Sequence, residues 1–137
     1  MPDFIYLTTA FTFNPDKGYE NALRLVSSLI WMFTPEQCVF YSPIVHHRPI
    51  ADHAAIEGGY DDFWHQIDNA FIERFDEVWV LLDEDGGWRV SKGMIGEIAH
   101  AKKHGKTVRY WRFAPSIRRP PEDLPDLLPA DDPGIFD

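Results

Sequence analysis

Cysteine is nearly absent from this 137-residue sequence, in which Cys38 is the single example. One thiol excludes an intramolecular disulfide and a thiolate metal cluster, and the apolar neighbours Val39 and Phe40 predict that it is buried. Basic residues are also scarce, with 13 Lys and Arg against 22 Asp and Glu, which gives a formal charge of −9. Binding to a phosphate backbone requires clustered positive charge, so we expect no nucleic-acid partner.

Long apolar runs are missing as well. No segment approaches the roughly 20 apolar residues that cross a bilayer. Asp3 precedes the first hydrophobic run, so no amino-terminal signal pattern is recognised. We therefore expect no membrane partner and, with a single cysteine, a cytoplasmic protein. The hydrophobic share of 45% predicts a globular domain with a substantial core.

The segment 76–110 predicts a strand, a loop, a helix and a second strand. Residues 78–82 form a short apolar run typical of a strand that is buried on both faces. The acidic, glycine-containing run 83–88 predicts a loop, and Ser91 can cap a helix that Gly105 ends. Ligands bind to open α/β sheets where the strands' carboxyl ends meet the following helices, and Glu97 can face that crevice.

The rest of the chain continues the alternation of strands and helices. Its predicted elements are a strand at 4–10, a helix at 15–34, a strand at 38–42, a long loop at 43–53 and a helix at 60–75. Together with the segment 76–110, this order predicts a single flavodoxin- or Rossmann-like α/β domain over 1–113. We expect a parallel sheet of four or five strands, the first strand central, with helices on both faces. The proline-rich acidic tail, 114–137, is expected to be extended or partly disordered.

Four motifs follow one another with compatible spacing between residues 5 and 108. They are Tyr6-Leu7-Thr8-Thr9-Ala10-Phe11; Ser42-Pro43-Ile44 with His46 and Pro49-Ile50-Ala51; Trp64 with Asp68; and Gly87-Trp88 with Ser91, Gly93 and Glu97. Together they resemble the nucleoside 2-deoxyribosyltransferase family, and in particular its small phage and bacterial branch. Thr8 and Ala10 depart from the first motif of that family.

The resemblance implies an enzyme that cleaves the N-glycosidic bond of a nucleoside or nucleoside 5′-monophosphate, by hydrolysis or base transfer, without a cofactor. Glu97 matches the nucleophile, Tyr6 the tyrosine that positions it, and Asp68 the carboxylate near the sugar hydroxyls. Asp83 or Asp85 matches the acid that handles the departing base. In related transferases a neighbouring subunit completes the site, so the resemblance also implies a homo-oligomer.

The chemistry of these residue types fits such a reaction. Cleavage through an oxocarbenium-like state requires a carboxylate beside the anomeric carbon and a group that protonates the leaving atom. We expect the amino terminus of its helix to keep Glu97 ionised, as a nucleophile requires.

Several further residues are candidates for binding the substrate. His46, His47 and Arg48 can bind a 5′-phosphate, because cationic donors prefer an oxyanion to a neutral hydroxyl. Trp88 lies in a glycine-containing loop and is a candidate to stack on a base. The matched motifs add Phe11, Ser91 and Gly93.

Each candidate also has a purely structural interpretation. Glu97 can be a solvated carboxylate paired with a nearby lysine, Asp68 can bind Arg74, and Tyr6 can be a core residue. The alternative function is a non-catalytic nucleotide-binding or signalling module on the same fold. His46, His47 and His53 suggest a metal, but with one cysteine and no histidine pair recognised four residues apart on a helix we expect no metal site.

Overall fold

The computed structural model describes residues 1–11, 14–54, 61–114 and 127–136. The strands are β1 (Asp3–Thr8), β2 (Cys38–Tyr41), β3 (Glu77–Leu81), β4 (Thr107–Phe113) and β5 (Leu127–Ala130). The α-helices are α1 (Pro15–Met32), α2 (Pro43–His53), α3 (Asp61–Arg74) and α4 (Lys92–Lys103), and a short 3₁₀ helix spans Gly87–Arg89. Within these described ranges, no helix combines the length and the hydrophobicity needed to cross a membrane.

The strands form one sheet in the order β2-β1-β3-β4-β5, in which the first four strands are parallel. This topology confirms the predicted flavodoxin-like α/β fold with the first strand inside the sheet. Parallel neighbours require crossover connections, and the helices between successive strands supply them. The carboxyl ends of β1, β2 and β3 therefore lie at one edge of the sheet.

Two apolar clusters cover the two faces of the sheet, because successive strand residues point to opposite sides. On one face, Tyr6 and Val80 pack with Met94 and Ile98 of α4. On the other, strand residues such as Leu7 pack with residues of α1. Burying one large apolar side chain contributes about 1.5–3 kcal/mol, so these contacts hold the helices firmly on the sheet.

Residues 43–53, predicted to be a loop, form the helix α2. The Ser42 hydroxyl caps the helix by accepting a hydrogen bond from Val45 N–H at 3.3 Å, and Pro43 occupies the first turn, where a missing N–H costs nothing. Pro49 lies inside the helix and removes one backbone hydrogen bond. The two prolines and the many polar residues conceal the helical pattern in the sequence.

The carboxyl-terminal tail contributes an edge strand that we did not predict. β5 pairs antiparallel with β4 and places Pro129 opposite Trp111. An edge strand tolerates a proline, because its outer side needs no hydrogen-bond donor. Phe136 is buried with its ring 6.1 Å from the rings of both Trp88 and Tyr110. The tail residues 115–126 and 137 lie outside the described residues.

Cys38 lies in β2 and is partly buried rather than fully buried as predicted. β2 is an edge strand and is therefore less covered than the central strands. Desolvation still raises the pKa of its thiol.

Candidate functional site

A cleft of about 310 Å³ lies between α3 and α4. Its volume is near the lower end of the range of about 300–1,000 Å³ typical of small-molecule sites. It is lined by His65 and Asn69 of α3 and by Gly96, Glu97, Ala99, His100 and Lys103 of α4. Glu97 is the buried member of this set, with 9% of its surface exposed. The cleft therefore gives a ligand access to a carboxyl group that is otherwise removed from water.

Burial determines the charge state of Glu97. Desolvation, and after it the negative charge of Asp68, raise the pKa of Glu97 to about 8, while the hydroxyls of Thr8 and Tyr6 act in the opposite direction. The expectation that the helix terminus keeps Glu97 ionised is therefore wrong. The helix dipole acts on charges in the first turn, and Glu97 lies beyond the first turn of α4. Glu97 is also so deeply buried that desolvation outweighs the dipole.

Two hydroxyl groups from β1 accompany the Glu97 carboxyl. Tyr6 Oη, Thr8 Oγ1 and Glu97 Oε2 are all buried. The two hydroxyls lie close enough to the carboxyl to lower its pKa by hydrogen bonding, but within the described part of the chain none of the three atoms has a partner at full hydrogen-bond geometry. Burial, followed by the charge of Glu97, raises the pKa of Tyr6 well above its ordinary value, so Tyr6 remains a hydrogen-bond donor. An unsatisfied buried polar group costs about 1–3 kcal/mol, and such groups are typical of sites where a ligand completes the hydrogen bonding.

Asp68 is held by a histidine rather than by Arg74. The Asp68 Oδ1 atom accepts a hydrogen bond of 2.7 Å from His47 Nε2, and both residues are buried. The His47 ring stacks on Trp64, with centroids 4.0 Å apart, and its Nδ1 lies 3.1 Å from Nδ1 of His46. This network fixes Asp68 next to Glu97, whose pKa it raises.

His47 is the site residue that sequence reasoning treated only as part of a phosphate-binding loop. Its role depends on α2, because a helix turns successive side chains by about 100° and so separates His47 from its neighbour Arg48. The Ser42-Pro43 pair, a capping residue followed by a proline, is the sequence signal that predicts this helix.

Arg48 points away from the cleft. Its guanidinium donates to Asp16 Oδ1 at 2.7 Å, to the Pro15 carbonyl at 2.9 Å and to Asp52 Oδ2 at 3.4 Å. These contacts tie α2 to the start of α1 and balance the positive charge. These contacts do not support the predicted role of Arg48 in binding a phosphate, whereas His46 is exposed and contacts His47.

The predicted acid, Asp83, organises the loop after β3. Its carboxylate accepts hydrogen bonds from the N–H groups of Gly87 at 3.0 Å and Trp88 at 3.1 Å. Asp83 and Phe11 line a separate small cavity of about 20 Å³ rather than the cleft that contains Glu97. The structure thus does not bring Asp83 or Phe11 together with the candidate nucleophile.

Three other predicted binding residues have structural contacts. Trp88 is 7% exposed and packs in the core, so it offers no free face for a base. Ser91 caps α4 by accepting a hydrogen bond from Met94 N–H at 3.2 Å. Gly93 follows in the first turn of α4 and does not line the cleft.

One group of side chains near the cleft has the composition of a metal site. Glu73, His100 and His104 place their donor atoms within 4.8 Å of one another. His100 and His104 are four residues apart at the end of α4, so the expectation that the chain lacks a histidine pair with this spacing on a helix is wrong.

Comparison with known proteins supports the fold and assigns a family. The fold resembles that of a solved structure, 2-desoxiribosyltransferase from Leishmania mexicana, with a TM-score of 0.53 and 20% sequence identity. The match covers 82% of this chain and 66% of that chain, so this chain spans just under two thirds of the other protein's length. At this identity the likeness concerns the fold alone, and no curated protein matches the sequence. The model of the DUF1937 family, a domain of unknown function, matches residues 6–113. With most of its length matched, the chain belongs to the DUF1937 family.

Proposed function

We propose that this protein cleaves the N-glycosidic bond of a nucleoside or nucleoside 5′-monophosphate, by hydrolysis or base transfer, with Glu97 as the nucleophile. The observation that carries the proposal is the buried Glu97 carboxyl in the α3–α4 cleft, next to Asp68 and the buried hydroxyls of Tyr6 and Thr8. The fold likeness to a 2-desoxiribosyltransferase supports glycosyl transfer as the reaction class.

In the proposed reaction, the ionised Glu97 attacks the anomeric carbon of a sugar bound in the cleft. The bond from this carbon to the base breaks, its electron pair leaves with the base, and a glycosyl ester of Glu97 remains. Water or a second base then attacks the same carbon and releases the carboxylate. Two displacements at one carbon retain its configuration.

Neighbouring groups supply the positioning. The Tyr6 and Thr8 hydroxyls donate hydrogen bonds to the ionised Glu97 and orient it toward the sugar. Asp68, held by His47, accepts hydrogen bonds from the sugar hydroxyls, and its negative charge stabilises the positive charge that develops on the sugar.

The departing base requires a proton. Both oxygens of Asp83 already accept backbone hydrogen bonds, so we assign this role to another group. His65 lines the cleft and is exposed, and an imidazolium ring can donate a proton. His65 is therefore the proposed proton donor.

The pKa of Glu97 distinguishes between two roles for this residue. A nucleophile must be ionised, whereas a general acid must be protonated. With a pKa of about 8, the ionised fraction of Glu97 increases across the neutral range. For a substrate whose base departs without being protonated, a nucleophilic role predicts that activity rises with pH through this range, and an acid role predicts that it falls.

The direct test is release of the free base from a panel of nucleosides and their 5′-monophosphates, followed by chromatography. We expect release by the wild type and by Glu20→Ala, a control that removes an exposed glutamate of α1, and none by Glu97→Ala. A covalent glycosyl adduct on Glu97, detected by mass spectrometry, would establish the nucleophilic role. Unchanged release by Glu97→Ala would refute the proposal.

The alternative, a non-catalytic nucleotide-binding or signalling module on this fold, gives a different outcome in the same panel. A ligand would raise the unfolding temperature of both the wild type and Glu97→Gln, and neither protein would release a base.

A further inference from the structure

Three potential metal ligands converge where the last turn of α3 meets the last turn of α4. Glu73 Oε2 lies 3.5 Å from His100 Nε2, and Glu73 Oε1 lies 3.8 Å from His104 Nε2. The two imidazole rings are neighbours, with centroids 4.5 Å apart. One carboxylate thus faces two imidazole nitrogens that come from another helix.

The state of His100 favours a ligand over a simple ion pair. Its Nε2 atom is buried and has no hydrogen bond of acceptable geometry among the described residues, although Glu73 is close. A buried imidazole nitrogen without a partner is costly, and a metal ion bound to it would remove that cost.

We propose that Glu73, His100 and His104 bind a divalent transition-metal ion, with Zn²⁺ as the best match. Two imidazoles and one carboxylate are the ligand types that Zn²⁺ prefers, whereas Mg²⁺ and Ca²⁺ prefer oxygen ligands alone. Three protein ligands leave one coordination position open to water or to a ligand in the cleft.

The geometry permits such a site with small side-chain movements. Ligand bonds of about 2.0–2.1 Å in a tetrahedral arrangement place donor atoms about 3.3 Å apart. The donor atoms here lie within 4.8 Å of one another, so the widest pair has to approach by about 1.5 Å or less. The side chains of Glu73 and His104 are partly exposed and can rotate to achieve this, while the less exposed His100 provides the fixed end.

A bound ion would have two effects. It would connect α3 to α4 and so stabilise the two walls of the cleft. It would also place a positive charge at one end of the cleft, because His100 lines the cleft one helical turn from Glu97. That charge would favour an anionic group on a bound ligand.

The test uses the full chain after treatment with a chelator, with Zn²⁺ as the probe in calorimetric titration and thermal unfolding. We expect one Zn²⁺ per chain and, at about 100 times the dissociation constant, a rise of roughly 8 °C in the unfolding temperature. Mg²⁺ should have no such effect. The visible absorption of bound Co²⁺ should report four-coordinate geometry with nitrogen and oxygen ligands.

Two variants and one control assign the ligands. His104→Ala and Glu73→Gln should weaken Zn²⁺ binding by at least about tenfold, whereas His53→Ala, which removes an exposed histidine elsewhere, should not. Because both altered side chains are partly exposed, we expect the variants to fold, and circular dichroism checks this. Absence of saturable Zn²⁺ binding, or equal affinity in the wild type and His104→Ala, would overturn the proposal. These measurements do not depend on base release.

Discussion

Replacement of Glu97 by glutamine should stabilise the protein, and the gain should grow with pH. The pKa of Glu97 is raised from 4.5 to about 8 in the folded chain, so the unfolded chain loses this proton first as the pH rises. Ionisation therefore favours the unfolded state, and wild-type stability falls as the pH increases from 4.5 to about 8. A glutamine side chain at this position cannot ionise, so the variant avoids this loss.

The magnitude follows from the size of the shift. Each pKa unit corresponds to about 1.4 kcal/mol, so the shift corresponds to about 5 kcal/mol when Glu97 is fully ionised in both states. Integrating the effect of pH on stability, we expect the free energy of unfolding of Glu97→Gln to exceed that of the wild type by about 1 kcal/mol near pH 5, about 3 kcal/mol near pH 7 and about 5 kcal/mol near pH 9.

The free energy of unfolding, measured by urea denaturation at these three pH values, tests this expectation. Glu20→Gln, which changes an exposed glutamate of α1, is the control and should show no such trend. In an Asp68→Asn background the gain should be smaller, because Asp68 is the second cause of the shift. A gain that is independent of pH, or a glutamine variant less stable than the wild type near pH 9, would refute the reasoning.

Three further predictions concern activity and packing. For the proposed reaction, with a substrate whose base departs without being protonated, kcat should rise from about pH 6 to a plateau above about pH 8 as Glu97 ionises, and a decrease over this range would contradict the nucleophilic role. His47→Ala should lower the free energy of unfolding by about 2–4 kcal/mol, because it leaves the Asp68 carboxylate buried without its hydrogen-bond partner. A loss below about 1 kcal/mol, measured by urea denaturation, would argue against the His47–Asp68 network. Gly18→Ala should destabilise the protein by about 1–3 kcal/mol, since a Cβ at this position would lie 2.6 Å from a backbone oxygen. Gly96→Ala should instead stabilise the protein by up to about 1 kcal/mol, because a Cβ there would meet no atom within 4 Å and alanine favours the helix. Thermal unfolding of the two alanine variants checks this difference in sign.

The fold was predictable because its signals are local. The apolar run of 78–82, the loop after it and the cap at Ser91 depend on neighbouring residues only, and they produced β3 and α4 close to their observed bounds. Repetition of this unit predicted a parallel sheet with the first strand central and helices on both faces. Elements with contradictory local signals were missed: the prolines of α2 conceal a helix, and Pro129 conceals an edge strand.

Some residues of the candidate site were predictable from the sequence and others were not. The motif resemblance selected Glu97, Tyr6 and Asp68, and the structure brings these three together. It also selected Asp83, and the chemistry of cationic side chains added Arg48, but the polar atoms of both are engaged elsewhere. A sequence motif identifies which residue is present, but it does not reveal which hydrogen-bond or ion-pair partner that side chain has in the fold.

The sequence by itself thus determined the α/β class, a central first strand and a carboxylate on the helix after the third strand, since these depend on periodicity and caps along the chain. Tertiary structure decided that His47 holds Asp68, that Glu97 has a pKa of about 8 and that Glu73 meets two histidines. The reason is physical: desolvation and Coulomb interactions depend on distances in space, and His47 and Asp68 are 21 residues apart in the chain while their side chains are 2.7 Å apart.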